Sequence, residues 1–196
     1  MGDWLGDSAL GLAYGQVRLA PNDPGWPGAF RRLAVELRAT LGDLAVAVEH
    51  VGSTAVPGLA AKPILDVVVG LAPGTDPDRV ITALAPLGAQ FRGDKGGEGG
   101  LLLVIEDQPA HRVAHLHLVG HGDRQWRRYL ALRDRLRADP AARTAYAQLK
   151  GRLAGRFSGD RRAYTAAKAA FIGHLLSEDG RTAPPTEPTS KRRGRR

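Results

Sequence analysis

The run Ile64-Leu65-Asp66-Val67-Val68-Val69-Gly70-Leu71 limits what this chain can fold into more than any other feature. Apart from one acid it is apolar, with none of the polar alternation of a strand that has one wet face, so it predicts a strand covered on both sides. Such a strand needs helices above and below its sheet. From Pro27, the residues Phe30, Leu33, Ala34, Leu37 and Leu41 recur at helical spacing, with Trp26 at the entry and Gly42 as the stop. Thr75-Asp76-Pro77 then supplies an N-cap and a first-turn proline for a helix carrying Val80, Ile81, Leu84 and Leu87. Strand-like runs occupy residues 45–51, 89–92, 101–106 and 112–119. After Gly122 three helical stripes follow: Trp126, Tyr129, Leu130, Leu132 and Leu136; then Tyr146, Leu149 and Leu153 behind Asp139-Pro140; then Tyr164, Ala167, Phe171 and Leu175 behind Asp160. The expected architecture is α/β (α+β), a mixed β-sheet with flanking helices and a C-terminal helical segment closing one side of a cleft.

Composition sets the outer limits. With 196 residues, 43% of them hydrophobic, the chain can bury one substantial core. Residues 1–16 hold four glycines and no sustained period, and are expected to form a loose leader or a weakly docked arm. Residues 17–176 form the folded domain, and residues 177–196 a disordered basic tail, with six Lys/Arg against three Asp/Glu. The net charge of +8 is compatible with phosphorylated ligands and equally with a plain arginine-rich surface. No cysteine is present, which removes disulfides, thiolate metal sites and cysteine nucleophiles. No stretch approaches the ~20 apolar residues of a membrane span, and the N-terminus lacks the pattern of a secretory signal, so no membrane contact and a cytoplasmic location are expected.

The residues with chemical content converge on one region. Gly52-Ser53-Thr54 follows a strand directly, where bare amides and hydroxyls can gather on an anion, or simply make a tight turn. Twelve residues separate Ser53 from Asp66, the lone acid of the next strand, into which Lys62-Pro63 leads. A carboxylate on a hydrophobic strand needs a metal, a cation or hydrogen bonds to offset its burial; Lys62 or backbone amides are the structural candidates. Lys62 is also the best cation for a phosphate, and as readily a snorkelling surface lysine. His115 and His117, two apart on a strand, share a face and can stand near Asp66 as metal ligands, as proton carriers, or as hydrogen-bonded core residues. Glu49 and His50 point to opposite faces, so at most one joins the pocket. Arg133 and Lys150, on the helical half, either reach the cleft or pair with Asp134 and neighbouring acids.

The segment from Glu49-His50-Val51-Gly52-Ser53-Thr54 through Ala61-Lys62-Pro63-Ile64-Leu65-Asp66 resembles the signature of the GrpB family. Trp26, His115-Leu116-His117, Arg133-Asp134, Tyr146 and Leu149-Lys150 extend the resemblance across residues 17–176. It implies a nucleotidyltransferase-superfamily fold, in which a Gly-Ser turn is followed by Asp-x-Asp/Glu on the next strand, the acids holding divalent metal against a nucleoside triphosphate. Gly52, Ser53 and Asp66 match that pattern, whereas Val68 stands where the second carboxylate would be. Magnesium is held by oxygen ligands, and a valine offers none.

The expected function is therefore binding of a nucleotide or phosphorylated small molecule through Gly52, Ser53, Thr54, Lys62, His50, Arg133 and Lys150. Asp66 and His117 are the candidate catalytic pair for metal-assisted nucleotidyl transfer, and Asp66, His115 and His117 the candidate ligands for Mg2+ or another metal. Whether turnover occurs is left open by the sequence. Two other classes stand beside this one: a non-catalytic accessory module, since similar domains are fused to dephospho-CoA kinase, and an RNA-associated protein whose tail makes non-specific nucleic-acid contact.

Overall fold

A helix-breaking glycine or proline, or a capping aspartate, marks the helix boundaries of this chain, and the apolar stripes between them set which face of each element is buried. A computed structural model describes residues 4–94 and 100–177. The strands are β1 (Leu12–Ala13), β2 (Ala45–Val51), β3 (Leu65–Leu71), β4 (Ala89–Asp94), β5 (Leu101–Gln108) and β6 (His111–Gly120). The helices are α1 (Trp26–Leu41), α2 (Pro77–Leu84), α3 (Arg124–Ala138), α4 (Pro140–Arg156) and α5 (Arg161–Leu176). Asp76, Asp139 and Asp160 cap α2, α4 and α5 by accepting hydrogen bonds from first-turn amides, as short polar side chains at that position do.

The sheet runs in the order β2-β3-β6-β5-β4, with β1 added to the start of β6. β3 and β6 are parallel and the other pairs antiparallel, so the sheet is mixed as expected. Parallel pairing of β3 with β6 demands a long crossover, which α2, β4 and β5 supply. β3 is buried on both faces. Val67 and Val69 join Leu116 and Leu118 of β6 under α1 and α2, in a core with Trp26, Leu33 and Leu37. On the opposite face Val68 packs with Val51, Val119 and Trp126 of α3. Each fully buried aliphatic side chain contributes about 1.5–3 kcal/mol, so these two layers dominate the stability. Among the described residues no helix is long and apolar enough to cross a membrane.

Of the two expectations for the N-terminal segment, a loose leader or a weakly docked arm, the described residues from Trp4 form a docked arm. Trp4 is only 2% exposed and belongs to the main core. The Arg32 side chain of α1 donates to the Trp4 carbonyl at 3.0 Å, and the Gly11 amide donates to the Pro63 carbonyl at 2.7 Å. Leu12 and Ala13 lie opposite Arg112 and His111. A strand of two residues has no period to read, and a single tryptophan gives no stripe, so neither the pairing nor the docking shows in the sequence pattern. The tail from residue 178 lies outside the described residues, as do residues 95–99 of the glycine-rich connection.

Candidate functional site

The side of the sheet facing α3, α4 and α5 carries Asp66, His115 and His117 at its centre. β3 and β6 run in register there, with Asp66 opposite His115 and Val68 opposite His117. Because alternate residues of a strand share a face, Asp66, His115 and His117 all project toward the helices. His115 Nδ1 lies 3.1 Å from Asp66 Oδ1, and His117 Nε2 lies 3.4 Å from the same oxygen. The Tyr129 hydroxyl of α3 sits 3.0 Å from His117 Nδ1. In the neutral tautomer protonated at Nε2, His117 donates to Asp66 and accepts from Tyr129, which uses both ring nitrogens. Burial pushes the Asp66 carboxyl up, but the hydrogen bonds from His115 and His117 outweigh it and hold the group well below the ordinary carboxylate range. The compensation Asp66 requires thus comes from two imidazoles.

Gly52 is shaped around that carboxylate. Its φ of 68° lies in the left-handed region, and a β-carbon there would stand 2.5 Å from Asp66 Oδ2. The turn continues as a single 3-10 turn, Ser53–Ala55, with Thr54 buried. His50 lies on the opposite side of β2, where it stacks on Phe30 with ring centroids 4.7 Å apart and meets the Thr54 hydroxyl at 3.0 Å. Burial, the largest influence, lowers its pKa to about 4 against a raising effect of Asp66, with Arg137 and Arg133 adding to the lowering. His50 supports the turn from behind and does not line the cavity.

The cations divide in the same way. Arg133 donates to Glu49 at 2.8 Å, to Asp134 at 2.8 Å and to the His50 carbonyl at 3.2 Å, which ties α3 to β2 outside the cavity. Lys150 goes inward: it is 2% exposed, its ammonium donates to Ser53 Oγ at 3.1 Å and to the Ala60 carbonyl, and the Tyr146 ring is 5.0 Å from Nζ. Desolvation, with the Lys168 charge beside it, pushes its amine down to about 7. Lys62 and Lys168 both approach the ring of Tyr164, at 4.5 and 4.8 Å from its centroid.

These groups line one cavity of about 170 Å³. Ser53, Thr54, Lys62, Asp66, His115, His117 and Lys150 all contribute to it, so most of the residues singled out in the sequence meet in one place. The sequence reading missed Tyr14 and Gln16 of the N-terminal arm, Arg112 at the start of β6, and Tyr164, Thr165 and Lys168 of α5. Lys150 carried a readable signal of its burial, since it stands four residues after Tyr146 and three before Leu153, on the apolar face of α4. Lys168 carried the same spacing, four residues after Tyr164 and three before Phe171 in α5, whereas Thr165 had no such signal.

The magnesium implied by the nucleotidyltransferase pattern does not fit these residues. Val68, fully buried beside Trp126, fills the place of a second carboxylate, and the one remaining acid already accepts from two histidines. Among the described residues no three His, Asp or Glu side chains are disposed to hold a metal ion.

Comparisons with known proteins agree on the fold. The sequence model of the family described as "GrpB protein" matches residues 16–178. A UPF0157 protein of Pseudomonas aeruginosa is 39% identical over 163 residues, which are 82% of this chain and 66% of that protein's length. A dephospho-CoA kinase of Mycolicibacterium paratuberculosis is 30% identical over 186 residues, covering 82% of this chain and 45% of the kinase. Among solved structures, the conserved protein GrpB from Enterococcus faecalis superposes with a TM-score of 0.72 at 33% identity, over 81% of this chain and 94% of that one. The Cid1 poly(U) polymerase superposes with a TM-score of 0.51 at 15% identity, over 76% of this chain and 49% of that one. The latter likeness extends to the fold alone, and it is the nucleotidyltransferase-like fold that the GrpB resemblance implies.

Proposed function

Because this chain belongs to the GrpB family, we propose that it uses its nucleotidyltransferase-like cleft to bind a phosphorylated small molecule or a nucleotide. The observation that carries this reading is the charge of the cavity: among the described residues Lys62, Arg112 and Lys168, with the partly protonated Lys150, line it against one carboxylate, Asp66. Clefts lined by an excess of one sign concentrate ligands of the other. Ser53, fixed by Lys150, adds a hydroxyl that can donate to a phosphoryl oxygen. The cavity volume falls below the ~300–1,000 Å³ of pockets that enclose a drug-sized ligand, so a phosphoryl group and a short carbon chain are enclosed while a larger remainder projects outward.

Chemistry in this cleft, where it takes place, falls to Asp66 and His117. His117 is the group positioned to pass a proton, held between the Tyr129 hydroxyl and Asp66. Anion donors line the cavity, whereas magnesium would find one carboxylate there. Thermal melting with inorganic phosphate and a panel of mono- and triphosphates tests it. The midpoint should rise with at least one of them, and the rise should vanish in the Ser53→Ala, Lys62→Ala double variant. A panel without effect, or an undiminished rise in the double variant, overturns the site assignment.

The dephospho-CoA kinase relatives favour a second reading, in which the same domain serves such an enzyme as a non-catalytic accessory. Co-migration of the two purified proteins in size-exclusion chromatography tests that. The basic tail, residues 177–196, is proposed as a non-specific nucleic-acid contact, and a cytoplasmic location belongs to the same reading. Removing the tail should abolish low-salt RNA retention; equal retention by the shortened chain rules the contact out.

A further inference from the structure

The chain writes its positive charge almost wholly as arginine. Of 28 basic residues only five are lysines: Lys62, Lys95, Lys150, Lys168 and Lys191. Three of these five line the single cavity described above. Arginine would serve as well or better wherever a fixed charge, a fork of donors or a stacked cation is wanted; what lysine alone supplies is an amine that can lose its proton and become a nucleophile.

Lys150 has the surroundings such an amine requires. It lies on the apolar face of α4 against Tyr146, is almost wholly removed from solvent, and has Lys168 of α5 as its charged neighbour. Among the described residues no carboxylate pairs with it, and its bonds go to a hydroxyl and a carbonyl, Ser53 and Ala60. A neutral amine has two N–H donors and one lone pair, so these two acceptors use both donors and leave the lone pair for an electrophile. Other titratable groups around the cavity are Tyr14 after β1, Lys62 from the loop before β3, Asp66 of β3, His115 and His117 of β6, Arg112 at its start, and Tyr164 of α5. The amine is held at about 7 by desolvation first and by Lys168 second, which leaves much of it unprotonated at neutral pH.

We infer that Lys150 is a covalent carbonyl-capturing residue, and that the ligand of the cavity is a small phosphorylated aldehyde or ketone whose phosphate is held by Lys62 and Lys168. This rests on the phosphate-binding reading above and narrows it. In the capture step Nζ adds to the carbonyl carbon and the C=O π electrons pass to oxygen, which takes a proton. The resulting carbinolamine then loses that oxygen as water, with the second amine proton leaving nitrogen, to give a C=N imine. Ser53, bonded to Nζ, and the His117–Asp66 pair in the same cavity are the groups placed to carry those protons. Enclosed space of about 170 Å³ suits a short-chain compound of this class.

Borohydride trapping reads the imine directly. The full chain is incubated with glyceraldehyde 3-phosphate, reduced with borohydride, digested and mapped by mass spectrometry, with glyceraldehyde as the phosphate-free control. At pH 7 the adduct on Lys150 should exceed that on any of the other four lysines by about tenfold or more, the advantage of an amine that is about half neutral there while an ordinary lysine is almost wholly protonated. Lys150→Arg should lose the selective adduct, while Lys168→Met should move the labelling of Lys150 to higher pH by removing the neighbouring charge. Uniform labelling of the five lysines of the unaltered chain, or none at Lys150, overturns the inference whether or not the variants fold. Inorganic phosphate that raises the melting midpoint without any Lys150 adduct sinks this inference alone. Equal Lys150 labelling by glyceraldehyde and its phosphate, with no shift by inorganic phosphate, overturns the phosphorylated class and the binding reading beneath it.

Discussion

Gly52 and Asp66 are in contact through an absence: a β-carbon built on the glycine would stand 2.5 Å from the aspartate Oδ2 and 2.8 Å from its β-carbon. The end of β2 and the start of β3 close together only because that atom is missing. The carboxylate cannot move aside freely, since His115 and His117 hold its other oxygen.

Gly52→Ala should therefore cost more than an ordinary turn substitution. The φ of 68° alone disfavours any side chain, and the clash adds to it, for a total of about 1–3 kcal/mol or more. Chemical denaturation should show the midpoint falling with the slope unchanged. Alanine tolerated within error would mean that the turn and Asp66 are not coupled.

Much of this arrangement was legible in the sequence, and the parts that were not share a cause. β2 was read to its residue bounds, and β3 to within one residue, because valine-rich runs bounded by Gly52 on one side and Pro63 on the other leave few alternatives. Asp76, Asp139 and Asp160 were readable as caps because each stands directly before an apolar stripe or a proline. The link between Gly52 and Asp66 could be suspected from their motif, but the partners of Asp66 could not be chosen. Lys62 and the two histidines were all chemically adequate, and only the register of β3 against β6 decides for the histidines. Long-range pairings such as Lys150 with Ser53 leave no local trace, being set by how α4 lies across the sheet.

The docked N-terminal segment leads to a second expectation. Trp4 fills the main core beside α1, and substitution of a buried tryptophan by alanine removes its apolar area and leaves a cavity. Trp4→Ala should lose about 3–5 kcal/mol. Deleting residues 1–16 should cost stability and also weaken ligand binding, because Tyr14 and Gln16 line the cavity. A shortened chain that melts like the full one would restore the picture of a loose leader.

Divalent metal should matter little to the folded chain. A ligand bound only by the native state raises the melting midpoint, by RT ln(1 + [L]/Kd), and the residues around Asp66 offer magnesium one carboxylate. Melting curves in magnesium and in EDTA should coincide. Val68→Asp, which places an acid on the same strand face, should destabilise the chain without metal, since Val68 is fully buried against Val51, Val119 and Trp126. A midpoint that climbs with magnesium in the unaltered chain would restore the metal site that the substitution at 68 argues against.

Acid should loosen the fold in a defined window, and His50 is the reason. Its ordinary pKa of 6.5 falls to about 4 in the native state, chiefly through burial beneath Phe30 and behind Thr54. Between those values the unfolded chain binds a proton that the native chain refuses, so stability rises with pH across the window and falls on acidification from 6.5 toward 4. A shift of this size corresponds to a loss on the order of 3 kcal/mol at the acid end. Asp66 acts elsewhere: its lowered carboxyl stays ionised in both states above about 3.9, and its contribution is lost only as the pH falls below that, toward its native value. His50→Gln keeps a side-chain partner for the Thr54 hydroxyl and removes the titration. Urea unfolding of this variant should show a flatter stability profile between pH 6.5 and 4 than the unaltered chain, with the two profiles parallel below that range. Equal slopes through the window would assign the acid sensitivity to another group and place His50 in contact with solvent.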